Sequence, residues 1–177
     1  MAGPVVACAV AIEPGTRIDG LDDSKRLTPG QREELFGDIL RQAAAVSWAS
    51  VGERLIDSTD ILRASILAMT WSVESLQVKP GLLLVDGPYR LPVEVEQRAL
   101  VGGDGRSLAV AAASVVAKVI RDRLMAKLDS IYPLYSFKSN KGYPTRTHLE
   151  ALSRHGPCPA HRLSFGPVRK WAVDRPT

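Results

Sequence analysis

Two segments of this chain are apolar at nearly every position, GPVVACAVAI at 3–12 and LLLV at 82–85. A strand with apolar side chains on both faces must be covered on both. That is the situation of an interior strand in a sheet flanked by helices. The rest of the pattern agrees, because helical and strand-like stretches alternate along the chain. Thr28 precedes Pro29 and is followed three residues later by Gln31, which predicts a capped helix start. Leu35, Phe36, Ile39, Leu40 and Ala43 give that helix its buried stripe. Residues 45–51 read as a strand. Asp57 is expected to cap a second helix, with Ile56 and Ile61 as its hydrophobic staple. Pro80-Gly81 breaks the chain before the second apolar strand. Residues 95–101 form a further strand, Ser107 caps a long helix to about Leu128, and Thr147 with Glu150 starts a short helix ending at Gly156.

No apolar run approaches the ~20 residues that cross a bilayer. The apolar start has no basic region before it and runs into Glu13-Pro14-Gly15, so it does not read as a signal peptide. Cys8 and Cys158 show no metal-type spacing and read as free thiols of a reducing, cytoplasmic compartment. Net charge is +4, but residues 118–177 carry 12 Lys/Arg against 4 Asp/Glu while residues 1–117 carry 11 against 15. An acidic part able to hold cations, followed by a basic part, suits a polyanionic substrate, although a solvated basic face gives the same balance.

Asp86 closes one apolar strand, and Asp104 closes the next. If a helical crossover makes those strands parallel neighbours, both carboxylates reach the same sheet edge, ~4.8 Å per strand apart. Like charges so placed need a cation or a shared proton. Oxygen ligands without a His/Cys cluster point to Mg²⁺ or Mn²⁺. Against this, an Asp before Gly at a strand end is often only a turn residue. Asp122, mostly one helix away from Asp104, is over ~20 Å distant and is not expected to be a ligand.

Taken together, LDDSKRLT (21–28), LLLVDGPYR (82–90), GGDGRSLAVAAASVVAKVIRDRLM (102–125), KGYPTRTH (141–148) and HRLSFGPV (161–168) resemble, in order and spacing, the signature segments of ribonuclease HII. The resemblance implies one RNase H-like domain over 1–177, incomplete at its N-terminus, in which helices flank a central mixed sheet. It implies an endonuclease, using Mg²⁺ or Mn²⁺, that cuts the RNA strand of RNA–DNA hybrids and incises 5′ of single ribonucleotides in duplex DNA. The family uses four carboxylates, of which Asp86 and Asp104 match two. It implies further that Tyr143 stacks on the sugar at the RNA–DNA junction, where the 2′-hydroxyl is read. Lys141, Ser24, Lys25 and Arg162 are candidate phosphate contacts, with surface or structural roles as the alternative for each; Asp22 and Asp23 can pair with Lys25 or Arg26. His148, His155 and His161 are read as structural. A monomer is expected.

The sequence departs from the family in three places. The family's G-x-D-E-x-G-R-G segment, which carries the other two carboxylates on a central strand, is missing, and Met1 reads as an internal methionine of a longer protein. Gly102 stands where the family has a lysine, and Asp60 where it usually has an asparagine. The strands at 3–12 and 82–86 would be the missing strand's neighbours. Both should therefore have open edges, and the chain alone should be poorly stable or should fill the gap with another element. Little or no hydrolysis is expected of it even with Mn²⁺, leaving as the second reading a protein that binds hybrids without cutting them.

Overall fold

A computed structural model describes residues 1–172. In chain order the elements are β1 (Val5–Ala11), α1 (Pro29–Gln42), β2 (Ala45–Val51), α2 (Glu53–Ser58), α3 (Ile61–Glu74), β3 (Leu83–Asp86), β4 (Gln97–Leu100), α4 (Leu108–Ile131), α5 (Phe137–Asn140), α6 (Arg146–His155) and α7 (Gly166–Ala172). The α/β architecture expected from the sequence is present. β1 pairs with β2 and β3 with β4, as two separate two-stranded sheets. The α1 cap forms as predicted, with Thr28 Oγ1 accepting from Gln31 N–H and Gln31 Oε1 accepting from Thr28 N–H.

Three local expectations need correction. Asp57 lies inside α2, and the residue at the start of α3 is Asp60, whose carboxylate accepts from Arg63 N–H at 2.8 Å. The cap of α6 is Thr145, accepting from His148 N–H, so the helix begins earlier than Thr147. β3 and β4 are parallel, but no helix joins them. The connection is held instead by the Gln97 amide, which accepts from Leu91 N–H and donates to the carbonyls of Leu91 and Val93. One polar side chain thus performs the ordering that a crossover helix normally provides.

The chain forms two compact units. One comprises Met1–Val5, Val51–Ala64 and the chain from Arg121 onward; the other comprises Val6–Ser50 and Ser65–Ile120. The core of the first packs Phe137, Leu152, Met125 and Val168, all fully buried, with Tyr135 and Ala160. Here Asp57 accepts from the backbone N–H groups of Leu163 and Ser164 and from the Ser164 hydroxyl. In the second unit the described residues form apolar clusters on α4 and on β3. Ile39, Leu35 and Ile18 pack on Ala112, Val115 and Val116 of α4, and Val85 and Ala9 pack with Val73 and Leu91. Among the described residues no helix is long and apolar enough to cross a membrane.

Between β1 and β3 runs a cleft of about 880 Å³. Its walls are Val6–Ile12 on one side and Leu82–Asp86 on the other, with Met69 and Val73 of α3, Leu76 just beyond it, and Ala109, Ala113 and Ala117 of α4 completing the lining. The two strands belong to different sheets and do not pair, so each turns an unbonded edge toward the cleft. The open edges expected from the sequence are there.

Candidate active site

The register of the parallel pair sets Leu83 beside Gln97 and Asp86 beside Leu100. Asp86 is therefore carried to the C-terminal end of the pair, exposed, at one end of the cleft. Past β4 the chain makes a tight turn at Gly103–Gly105, in which Asp104 sits. The turn needs glycine: a Cβ on Gly103 would lie 2.9 Å from Val110 Cγ1. Asp86 Oδ1 accepts from Gly103 N–H at 3.1 Å, so one candidate carboxylate is bonded to the residue that immediately precedes the other. Asp104 Oδ1 accepts from Gly105 N–H, and its second oxygen is 3.5 Å from the Lys25 ammonium. The two carboxylates expected to converge are thus brought to one strand-end region. Both are oxygen donors, and no cluster of three or more His, Cys, Asp or Glu side chains able to hold a metal exists among the described residues.

The loop containing Ser24 and Lys25 divides its roles. Lys25 is exposed and pairs with Asp104, whereas Ser24 is buried and its hydroxyl bonds Ser114 Oγ at 2.7 Å. Arg32 fixes this loop by donating to the carbonyls of Ser24 and Leu27. Asp22 pairs with Arg26, and Asp23 accepts from Lys25 N–H. The pairing of Lys25 with Asp104 was not anticipated. The residues lie 79 positions apart, and no local spacing signals it.

The other candidates lie in the unit that contains residues 121 onward. A basic pocket of about 390 Å³ is lined by Arg121, Arg162, Tyr143, Pro144 and Phe165 among others. Tyr143 is exposed, with the Arg121 guanidinium 5.7 Å from its ring centre. Arg162 is buried, donates to the Gly3 carbonyl and lies over the Phe165 ring. Burial and then the neighbouring Arg121 push its pKa down to about 10. It stays charged at neutral pH. Lys141 takes a left-handed conformation (φ 51°) and its carbonyl accepts from Arg121. Gly142 follows with φ 78°, and a Cβ there would run into the Ala2 carbonyl, so this turn admits only glycine. Arg121 was missed in the sequence because it sits mid-helix beside Asp122 and Arg123, where a basic residue reads as solvated.

The chain matches the family model for ribonuclease HII over residues 1–168. It is 51% identical over 169 residues to ribonuclease HII of Syntrophobacter fumaroxidans, covering 96% of this chain and 72% of that relative. It is 45% identical to ribonuclease HII of Caldicellulosiruptor bescii, covering 93% and 80%. The crystal structure of ribonuclease H2 from Pyrococcus horikoshii superposes with a TM-score of 0.81 at 29% identity, covering 96% of this chain and 90% of that one.

Proposed function

Because the chain belongs to the ribonuclease HII family and is a nuclease by that membership, we propose that it cuts the RNA strand of RNA–DNA hybrids and incises on the 5′ side of single ribonucleotides embedded in duplex DNA, with Asp86 and Asp104 as ligands of a divalent metal. The observation that carries the reading is the parallel pairing of β3 and β4, which holds Asp86 against the turn that contains Asp104. Two hard oxygen donors fit Mg²⁺ or Mn²⁺. The Lys25 ammonium 3.5 Å from Asp104 supports reading this carboxylate as a cation ligand. A metal held there would supply an acidic water and stabilise charge on the leaving oxygen.

The remaining roles belong to side chains of the chain itself. Tyr143 presents its ring to the sugar that carries the 2′-hydroxyl. Arg121 and Arg162 bring positive charge to the same pocket, suited to phosphate oxygens, and Lys141 adjoins Gly142 of its lining as a further candidate contact. Lys25 is the exposed phosphate contact of its loop, while Ser24, bonded to Ser114, supports that loop from beneath. The two free cysteines fit a cytoplasmic protein, and the protein acts as a monomer.

A second reading is hybrid binding without turnover. It is favoured by the absence, among the described residues, of a third metal-ligating side chain beside Asp86 and Asp104. A two-ion scheme with ions ~3.5–4 Å apart needs more negative charge than two carboxylates give. The test is a duplex bearing one ribonucleotide, incubated in Mg²⁺ and in Mn²⁺ with the product ends mapped. Incision 5′ of the ribonucleotide, lost in Asp86→Asn and in Asp104→Asn, supports the first reading. Salt-sensitive hybrid binding without incision supports the second. Neither binding nor incision overturns both.

A further inference from the structure

The loop that presents Tyr143 is fixed through its backbone, while the ring, with the Arg121 guanidinium 5.7 Å from its centre, stays open to solvent. Tyr143 N–H donates to the Asn140 carbonyl at 2.9 Å, and its own carbonyl accepts from Thr145 N–H at 2.8 Å. Asn140 Oδ1 accepts from Gly142 N–H, and its amide nitrogen donates to the Tyr135 carbonyl. Tyr143 meanwhile is 58% exposed. This is how a side chain is held out toward a ligand, rather than how a packing tyrosine is held.

One further bond reaches the Tyr143 carbonyl, from His148 Nδ1 at 2.9 Å. His148 is fully buried, and its other nitrogen, Nε2, lies 2.9 Å from Nε2 of His161, also buried. His161 Nδ1 in turn receives the Cys158 backbone N–H at 3.0 Å and lies 3.2 Å from the Cys158 thiol. His161 Nδ1 also lies 3.3 Å from the Cys158 carbonyl, longer than its 3.0 Å contact with the Cys158 N–H, and the shorter contact with the Tyr143 carbonyl at the far end favours one arrangement of protons. A nitrogen that accepts from Cys158 N–H carries no proton, so His161 is protonated on Nε2. His148 Nε2 must then accept, which puts its proton on Nδ1, aimed at the Tyr143 carbonyl. The reverse arrangement gives a His161 proton the Cys158 carbonyl at 3.3 Å, but it sets that proton against the Cys158 N–H and a His148 lone pair against the Tyr143 carbonyl oxygen.

The surroundings keep the pair neutral. Tyr135 and Phe137 pack on both rings, with centroids 4.8 to 6.5 Å away. Burial, with His148 as the next cause, pushes the His161 pKa down to about 4; burial lowers His148 as well. Burial raises the Cys158 thiol, so it keeps its proton and is a second donor to His161 Nδ1.

We propose that His161 and His148 are positioning residues for substrate recognition, a directional relay from Cys158 N–H to the Tyr143 carbonyl that sets where the Tyr143 ring points. The proposal rests on the reading of Tyr143 as a sugar contact. It adds two residues that bind nothing themselves.

The relay is tested in the unaltered protein by long-range ¹⁵N–¹H spectra of the histidine rings. The expected result is an Nε2–H tautomer for His161 and an Nδ1–H tautomer for His148. An Nε2–H tautomer for His148 overturns the relay. The functional half compares binding to a duplex with one ribonucleotide and to the same duplex in DNA alone. In His148→Asn the amide nitrogen stands near the position of Nδ1, whereas in His148→Gln it stands near Nε2. His148→Gln should lose roughly tenfold of the preference, the worth of one such bond, and His148→Asn should keep most of it. Equal losses in both variants mean a structural role only and overturn the proposal. Tyr143→Ala separates the two ideas. If it leaves the preference unchanged, the reading of Tyr143 fails, whatever the tautomers; if it abolishes the preference while the tautomers are reversed, the relay alone fails.

Discussion

In the unit built around Phe137 and Leu152, polar groups that enter the core are bonded to one another: His148 to His161, Asn140 to Tyr135, Asp57 to Ser164. Among the described residues one buried side-chain polar atom lacks a partner, Asp129 Oδ1, and it belongs to this unit. The unit built on β1 and β3 differs in kind. Its apolar clusters are well formed, yet two strand edges and a row of small α4 side chains face an open cleft. The carboxylate that ends β3 stands at that cleft, whereas the basic pocket and Tyr143 belong to the closed unit. The proposed acidic site and the basic pocket thus reside on scaffolds that differ in how fully their strand edges and polar groups are bonded. Open strand edges weaken a sheet and invite foreign strands.

The sharpest way to break this contrast is at the carboxylates. Asp86→Asn is expected to lower metal-dependent incision by about 10²–10³-fold, the scale on which removing one transition-state-stabilising group acts. It should leave the affinity for hybrid nearly unchanged, as a filter-binding titration beside a cleavage assay would show. An equal fall in both would erase the division of labour.

In the closed unit, Leu152→Ala should cost about 2–5 kcal/mol in denaturant unfolding, because the side chain is fully buried and its cavity cannot collapse. A loss below about 1 kcal/mol would mean that this core is looser than its packing indicates.

Acidity probes the same core. The folded pKa of His161 lies near 4, below its ordinary value of 6.5. Between those values the unfolded chain binds more protons than the folded one. The stability carried by neutral His161 is therefore complete above about pH 6.5 and drains away as pH falls toward 4. Melting temperatures recorded from pH 7 to 4 should fall across that window in the parent and more shallowly in His161→Phe.

The smallest effect concerns two neighbours on α4. Ala112 is fully buried against Ile39, whereas Ala113 lines the cleft. Ala112→Leu should overpack and cost about 1–3 kcal/mol, while Ala113→Leu should change stability by less than about 1 kcal/mol. Comparable losses at both positions would mean that the cleft is not open.

Much of this was legible in the sequence because the signals are local. The Thr28–Gln31 box, the apolar runs of β1 and β3 and the carboxylate at the end of β3 each rest on a few consecutive residues. Where two caps compete within a few positions, as at Asp57 and Asp60, or at Thr145 and Thr147, spacing cannot choose between them. Tertiary bonds decide, and Asp57 is drawn off by Leu163 and Ser164. The pairing of Lys25 with Asp104, the burial of Ser24 and the meeting of His148 with His161 are properties of distant segments folded together. No periodicity encodes them.

The closed unit is assembled from three separate stretches of chain, the last running from Arg121 onward. Its core residue Phe137 and the Ser164 partner of Asp57 both lie in that last stretch. The chain must therefore extend past Ser164 before this core can close. Until then Met125 and the residues around Asp57 wait in water without their partners, and contacts across more than a hundred positions make closure slow. Folding of this unit therefore waits on its last stretch, and a cell making the protein quickly would have to shield the earlier stretches from self-association.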